Sequence, residues 1–182
     1  VAVREAETGR LWPVDPDGAP LYPGLCKGLD PREAARRVGA GEPHVLRLDM
    51  AAAISASGQV LNYTVFDMEG GRHVLPAVPE RWGDVVLARK DVPTSYHLAV
   101  TVDDALQGVS HVVRGRDLEA ATDVHVLLQN LLGLPTPLYH FHRLLLDDDG
   151  QKLAKSRASR SLAALREDGI TATKIRRQLG FA

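Results

Sequence analysis

The order of apolar and polar positions changes character near Asp91. Ahead of it, apolar residues come in short runs between turn formers. Asp15-Pro16-Asp17-Gly18-Ala19-Pro20 reads as a loop, and more than half of the eleven prolines fall in residues 1–43. A short helix is predicted from Pro31 to Val38, since proline is tolerated in a first helical turn. His44 to Met50, Val60 to Phe66 and Asp84 to Ala88 are apolar runs of strand length. Together they predict a small sheet-containing subdomain.

Beyond Asp91 helical and strand patterns alternate, as in a parallel α/β sheet. Ser95 can cap a helix from Tyr96 to Ala105, and Gly108 punctuates its end. Val109 to Val113 is the next strand. Thr122 can cap a second helix that places Val124, Leu127, Leu128, Leu131 and Leu132 on one face and closes at Gly133. Tyr139 to Leu146 is a further strand, leading into the turn Asp147-Asp148-Asp149-Gly150. Two short helices follow, Ser159 to Glu167 and Thr171 to Leu179, with Gly169 and Gly180 at their ends. The fold class is therefore α/β.

Composition narrows this picture. A chain of 182 residues, 45% apolar and 25% charged, can bury a real core, and no apolar run approaches bilayer length. No membrane role is expected. Cys26 is the single cysteine, which fits a reducing, cytoplasmic setting, and a monomer is expected. The net charge of -1 conceals an asymmetry: residues 151–182 hold eight Lys and Arg against Glu167 and Asp168. A basic tail on an acidic body suits a phosphate backbone, and it equally suits two solvated surface helices.

Gly150-Gln151-Lys152-Leu153-Ala154-Lys155-Ser156 sets two lysines three apart on a loop of small residues after a strand. Such a loop can bring two ammonium groups to a polyphosphate, where catalysis rests on positioning and on charge. The same pattern alone also fits a solvated turn.

The loop resembles the K-M-S-K-S motif of class I aminoacyl-tRNA synthetases, and the text before it resembles their glutamyl branch. The resemblance is carried by Trp82-Gly83-Asp84-Val85-Val86-Leu87-Ala88-Arg89-Lys90, by Ser95-Tyr96-His97-Leu98-Ala99-Val100-Thr101-Val102-Asp103-Asp104, and by His111-Val112-Val113-Arg114-Gly115-Arg116-Asp117-Leu118. It covers nearly all of residues 20–182 and is specific from Trp82 onward. The form Arg-Gly-x-Asp-Leu, and a chain that ends 26 residues after Ser156, are similar to the truncated branch, the glutamyl-Q tRNA(Asp) synthetases.

The resemblance implies a Rossmann-like class I synthetase catalytic domain, of which the chain holds the C-terminal part of the parallel sheet, with an inserted connecting subdomain. Three regions are expected: the connecting subdomain with its remnant zinc-type region over 1–81, the second half of the catalytic domain with the lysine loop over 82–158, and basic helices over 159–182. It implies ATP, as substrate with Mg, activating L-glutamate, and transfer of the glutamyl group to the queuosine base of tRNA(Asp). Carried over by position, Tyr96 and Arg114 contact glutamate, and Lys152 and Lys155 meet ATP as the catalytic pair. Arg114 at a parallel strand's C-terminal end suits carboxylate pairing. Pairing of Arg114 with Asp117, and simple packing of Tyr96, are the alternatives. Ala154 stands where the motif usually has Ser.

Tyr22 and Cys26 have the spacing of the last two zinc ligands of the connecting subdomain, but four ligands are needed and the two earlier cysteines are not among these residues. Either those cysteines lie upstream of Val1 or this member has lost the metal, and zinc is not expected in this chain. His140 and His142 share one strand face, beside the nucleotide site or as ordinary partnered histidines, and a structural role is expected for Asp103-Asp104. The chain opens at Val1 without the H-I-G-H-like segment of class I enzymes, so it is not expected to activate glutamate alone. The competing readings are a fragment of a discriminating or non-discriminating glutamyl-tRNA synthetase, and a non-catalytic tRNA-binding module.

Overall fold

The computed structural model describes residues 12–147, 149–150, 152–153 and 160–180. They belong to two compact units, Val1–His142 and Arg143–Ala182. Lys155, Ala154 and Ser156 lie outside the described residues.

In the first unit the elements are α1 (Pro31–Gly39), β1 (Val45–Arg47), α2 (Met50–Ser57), β2 (Asn62–Phe66), β3 (Arg72–Pro76), a 3-10 turn at Pro79–Trp82, β4 (Val86–Arg89), α3 (Tyr96–Leu106), β5 (His111–Gly115), a second 3-10 turn at Arg116–Leu118, α4 (Thr122–Leu132) and β6 (Leu138–His142). β1 and β4 form an antiparallel pair. The main sheet has the order β3-β2-β6-β5, with β5 and β2 both parallel to β6 and β3 antiparallel at the edge. The expected α/β fold is therefore present. One sheet joins strands from both sides of residue 81.

Two elements carry no prediction. Asp49 caps α2 by accepting from the Ala52 amide at 3.2 Å, and Gly58, at φ 66°, ends it. Its Ala-rich sequence has no polar face to generate a helical period, so the run from His44 to Met50 reads as one strand, whereas the strand stops at Arg47. β3 is an exposed edge strand without the alternation that marks a half-buried one. The signal for its hairpin is the turn: Asp67 Oδ1 accepts from Glu69 N and Gly71 N, at 3.1 and 2.6 Å.

α4 is buried without a break from Thr122 to Gln129, because α2, α3 and the turn before β4 all pack against it. Val124 and Leu127 are wholly enclosed, joined by Tyr63, Trp82, Tyr139 and Phe141 in one core. Leu132, expected on the buried face, is 49% exposed, since the helix leaves the core one residue before its left-handed Gly133 cap. Gly83 adopts φ 57°, ψ −155°, which L side chains avoid, and a Cβ there would meet Leu21 Cδ2 at 3.2 Å. That turn delivers Trp82 to the core, where its indole donates to Ala120 O at 3.1 Å.

In the second unit, α5 (Leu162–Glu167) and α6 (Ala172–Gln178) start at the side-chain caps Ser161 and Thr171. The predicted strand from Tyr139 to Leu146 ends at His142, and Leu146 instead makes an isolated antiparallel bridge to Lys152. No helix among the described residues is long and apolar enough to cross a membrane.

Leu127→Ala should lower unfolding stability by about 3 kcal/mol, since a fully enclosed side chain leaves a cavity. Leu132→Ala should cost less than about 1 kcal/mol. Urea unfolding followed by circular dichroism checks both.

Candidate active site

β5 and β6 run parallel in register, with Arg114 opposite Phe141 and Val112 opposite Tyr139. Side chains alternate across a sheet, so Arg114 shares a face with Tyr139 and Phe141. Their rings stack at 12° and form a shelf under the guanidinium, whose carbon lies 5.2 and 5.7 Å from the two centroids. Both ring faces attract the cation.

α4 closes over this shelf. Thr122 and His125 lie one helical turn apart and both reach Arg114: Nη2 donates to Thr122 Oγ1 at 2.5 Å, and Nη1 lies 3.1 Å from His125 Nδ1. Thr122 is therefore not a cap; Ala121 holds that position, and the threonine hydroxyl is used by the arginine. Arg114 is 9% exposed, its Nε has no hydrogen-bond partner, and no carboxylate of the described residues forms an ion pair with it. The nearby acid is Asp104, whose carboxyl is raised by burial and partly restrained by Arg114.

Tyr96 opens α3, directly after the Ser95 cap, and is 52% exposed. It lines an open cleft of about 440 Å³ together with His97, Ser95, Arg47 and Asp84. Its ring packs edge-on to His125 at 5.8 Å. His97 Nδ1 lies 3.1 Å from His125 Nε2, and its ring meets Trp82 at 5.5 Å. Tyr96 and Arg114 are thus brought together through His125, a residue that sequence reasoning missed. Its only signal was a histidine one helical turn after Thr122.

Electrostatics follow from burial. Burial first, then Arg114 and His97, lowers the His125 pKa from 6.5 to about 3, and burial with Arg114 also lowers His97. Both imidazoles are neutral at pH 7. Burial raises the phenol of Tyr139, against the hydrogen bond from Gln129.

Lys152 belongs to the second unit, beside Leu153, whose amide donates to Leu145 O at 2.9 Å. Lys155 lies outside the described residues. Tyr22 Oη accepts from the Cys26 amide at 2.7 Å, and Arg47 stacks on the Tyr22 ring at 4.5 Å. Cys26 itself is exposed. A phenol already accepting a hydrogen bond and one thiol do not make a four-ligand zinc site, and no group of three or more metal-ligating side chains occurs among the described residues. His140 Nδ1 is partnered by Phe66 O at 2.8 Å.

Because the folded pKa of His125 is depressed, its contribution to stability is complete above pH 6.5 and is lost as pH falls toward 3. The loss should be roughly 2 kcal/mol between about pH 7.5 and 5. His125→Gln should remove that part of the acid sensitivity and leave the smaller part from His97. Urea midpoints across this range, compared between the two proteins, check it.

Residues 11–180 match the catalytic domain of "tRNA synthetases class I (E and Q)". The chain is 45% identical over 171 residues to a glutamyl-Q tRNA(Asp) synthetase of Rhodobacter capsulatus, covering 93% of this chain and 59% of that protein. It is 39% identical to one of Nocardia farcinica, over 94% of this chain and 50% of that one. The chain thus spans about half the length of the curated relatives it matches. A crystal structure of the glutamate-tRNA synthetase from Elizabethkingia anophelis aligns with a TM-score of 0.58 at 22% identity, over 85% of this chain and 29% of that chain, which supports the fold. A parallel sheet with an arginine at a strand end, matched almost throughout to one family, leads to a plain conclusion: the chain belongs to the class I tRNA synthetases of the glutamate and glutamine group, in their catalytic domain.

Proposed function

We propose that the chain is part of an enzyme that activates glutamate with ATP and transfers the glutamyl group to the queuosine base of tRNA(Asp). The observation that carries this reading is Arg114: a buried guanidinium held by neutral partners, with Nε unmet and no ion-paired carboxylate among the described residues. A buried cation is costly without an anion, and a substrate carboxylate would supply one. Tyr96, on the cleft wall against His125, offers the phenol as a second contact.

In the first step a glutamate carboxylate oxygen attacks the α-phosphorus of ATP, and pyrophosphate leaves. Lys152 and Lys155, taken from the resemblance of their loop, place positive charge on the phosphates as that bond breaks. ATP enters with Mg, which shares this role. In the second step the adenylate's carbonyl carbon is attacked by the queuosine base, and AMP leaves. The choice of tRNA(Asp) is supported by Arg114-Gly115-Arg116-Asp117-Leu118, which passes from β5 into a 3-10 turn, and by the names of the two relatives above. The 182 residues contain no H-I-G-H-like segment, so by themselves they are proposed not to form the adenylate.

The test uses the full-length gene product. Glutamate-dependent ATP–pyrophosphate exchange is expected, with glutamyl transfer to queuosine-containing tRNA(Asp) and none to tRNA(Glu). Charging of tRNA(Glu) instead would identify an ordinary glutamyl-tRNA synthetase. Binding of tRNA without exchange would identify a non-catalytic module. Arg114→Ala should lower kcat/KM for glutamate about 100-fold, the loss of a charged hydrogen-bonded pair.

A further inference from the structure

Arg114 reaches the cleft-lining residue His97 through His125. The direction of the hydrogen bonds along that path is fixed by chemistry. A guanidinium only donates, so His125 Nδ1 is the acceptor of Nη1 and its proton sits on Nε2. Nε2–H then donates to His97 Nδ1, and the proton of His97 is on its own Nε2. One set of tautomers satisfies both contacts. A second proton on His125 would remove the acceptor and put another cation beside Arg114.

His125 is 2% exposed. Arg114 of β5 faces it, as do Tyr96 and His97 of α3. No carboxylate of the described residues is ion-paired or hydrogen-bonded to it. This matters for an arginine that binds an anion. A carboxylate in this position would orient Arg114 and also neutralise it, competing with the ligand. An aliphatic side chain would leave the charge but free the guanidinium to turn on its aromatic shelf. A neutral acceptor, itself locked by a second histidine, orients the cation and leaves its charge available.

We propose that His125 is a positioning residue of the glutamate site, which holds Arg114 through Nδ1 and is itself held in that tautomer by His97. The proposal rests on the reading that Arg114 meets a glutamate carboxylate. His125 does not touch substrate; it acts through Arg114.

The test is the KM for glutamate and for ATP in pyrophosphate exchange by the full-length protein, with thermal midpoints measured alongside. His125→Gln keeps an acceptor oxygen and a donor amide, so its glutamate KM should stay within about twofold of wild type. His125→Leu should raise the glutamate KM about tenfold, as one charged hydrogen bond is lost, with the ATP KM unchanged. His125→Glu should raise it further, by roughly 100-fold, through neutralisation of Arg114. If His125→Glu does not fold, the Gln and Leu pair still decides the matter. A wild-type glutamate KM in His125→Leu, while Arg114→Ala is impaired, overturns the positioning role alone. An activity loss that tracks the thermal midpoint and moves both KM values alike also overturns it. A wild-type glutamate KM in Arg114→Ala overturns the underlying reading, and the positioning role with it.

Discussion

The contact between Arg114 and α4 is the constraint from which the rest of the first unit can be understood. A guanidinium buried near the end of β5 has to be desolvated, and its terminal nitrogens are met by Thr122 and His125 while Tyr139 and Phe141 lie beneath it. Those partners come from a helix running over the strand end, and α4 is buried from Thr122 to Gln129. Burial then imposes the same demand on every polar residue the helix carries. Asp123 is met by Arg81 of the first 3-10 turn at 2.6 Å, and Gln129 donates to Tyr139 of β6 at 3.1 Å. His125 extends to His97 of α3. One helix therefore connects two strands, a turn and another helix through directional bonds, within the same residues that fill the core.

The elements of the second half of this unit were legible because their patterns are local. Ser95, Gly108 and Gly133 mark helix ends, and α3, β5, α4 and β6 are all present, though β5 begins at His111 and β6 stops at His142. What failed was anything that depended on a distant partner. α2 is apolar all round and β3 is exposed on an edge, so neither has a period that distinguishes it. The parallel pairing of β2 with β6, through Val65 and Tyr139, joins residues far apart in sequence and leaves no local trace.

The site divides in the same way. Ordered motifs single out Tyr96 and Arg114, whereas Thr122 reads as a cap and His125 carries no reading, because the groups these two meet are on other elements. The loop that carries Tyr22 and Cys26 is tied to α2 by contacts that spacing alone does not announce. Lys27 pairs with Asp84 at 2.9 Å and Asp49 at 3.2 Å, and both carboxylates also receive amides of α2's first turn. The pairs raise the Lys27 pKa, the Ala52 amide and then Lys27 lower that of Asp49, and added salt weakens the exposed Lys27–Asp49 contact.

The aromatic shelf under Arg114 has a wider consequence. Tyr139 and Phe141 also meet Tyr63 edge-on, at 5.7 and 6.4 Å, so the floor beneath the cation is continuous with the interior of the sheet. Arg114 has no dedicated wall: the surface that steadies its charge is the back of the hydrophobic core. A position such as Tyr63, buried in the core, answers to two requirements at once, the volume of the interior and the electrostatic quality of the surface above it. A substitution that satisfied the first and not the second would leave a well-folded protein with a misaligned arginine.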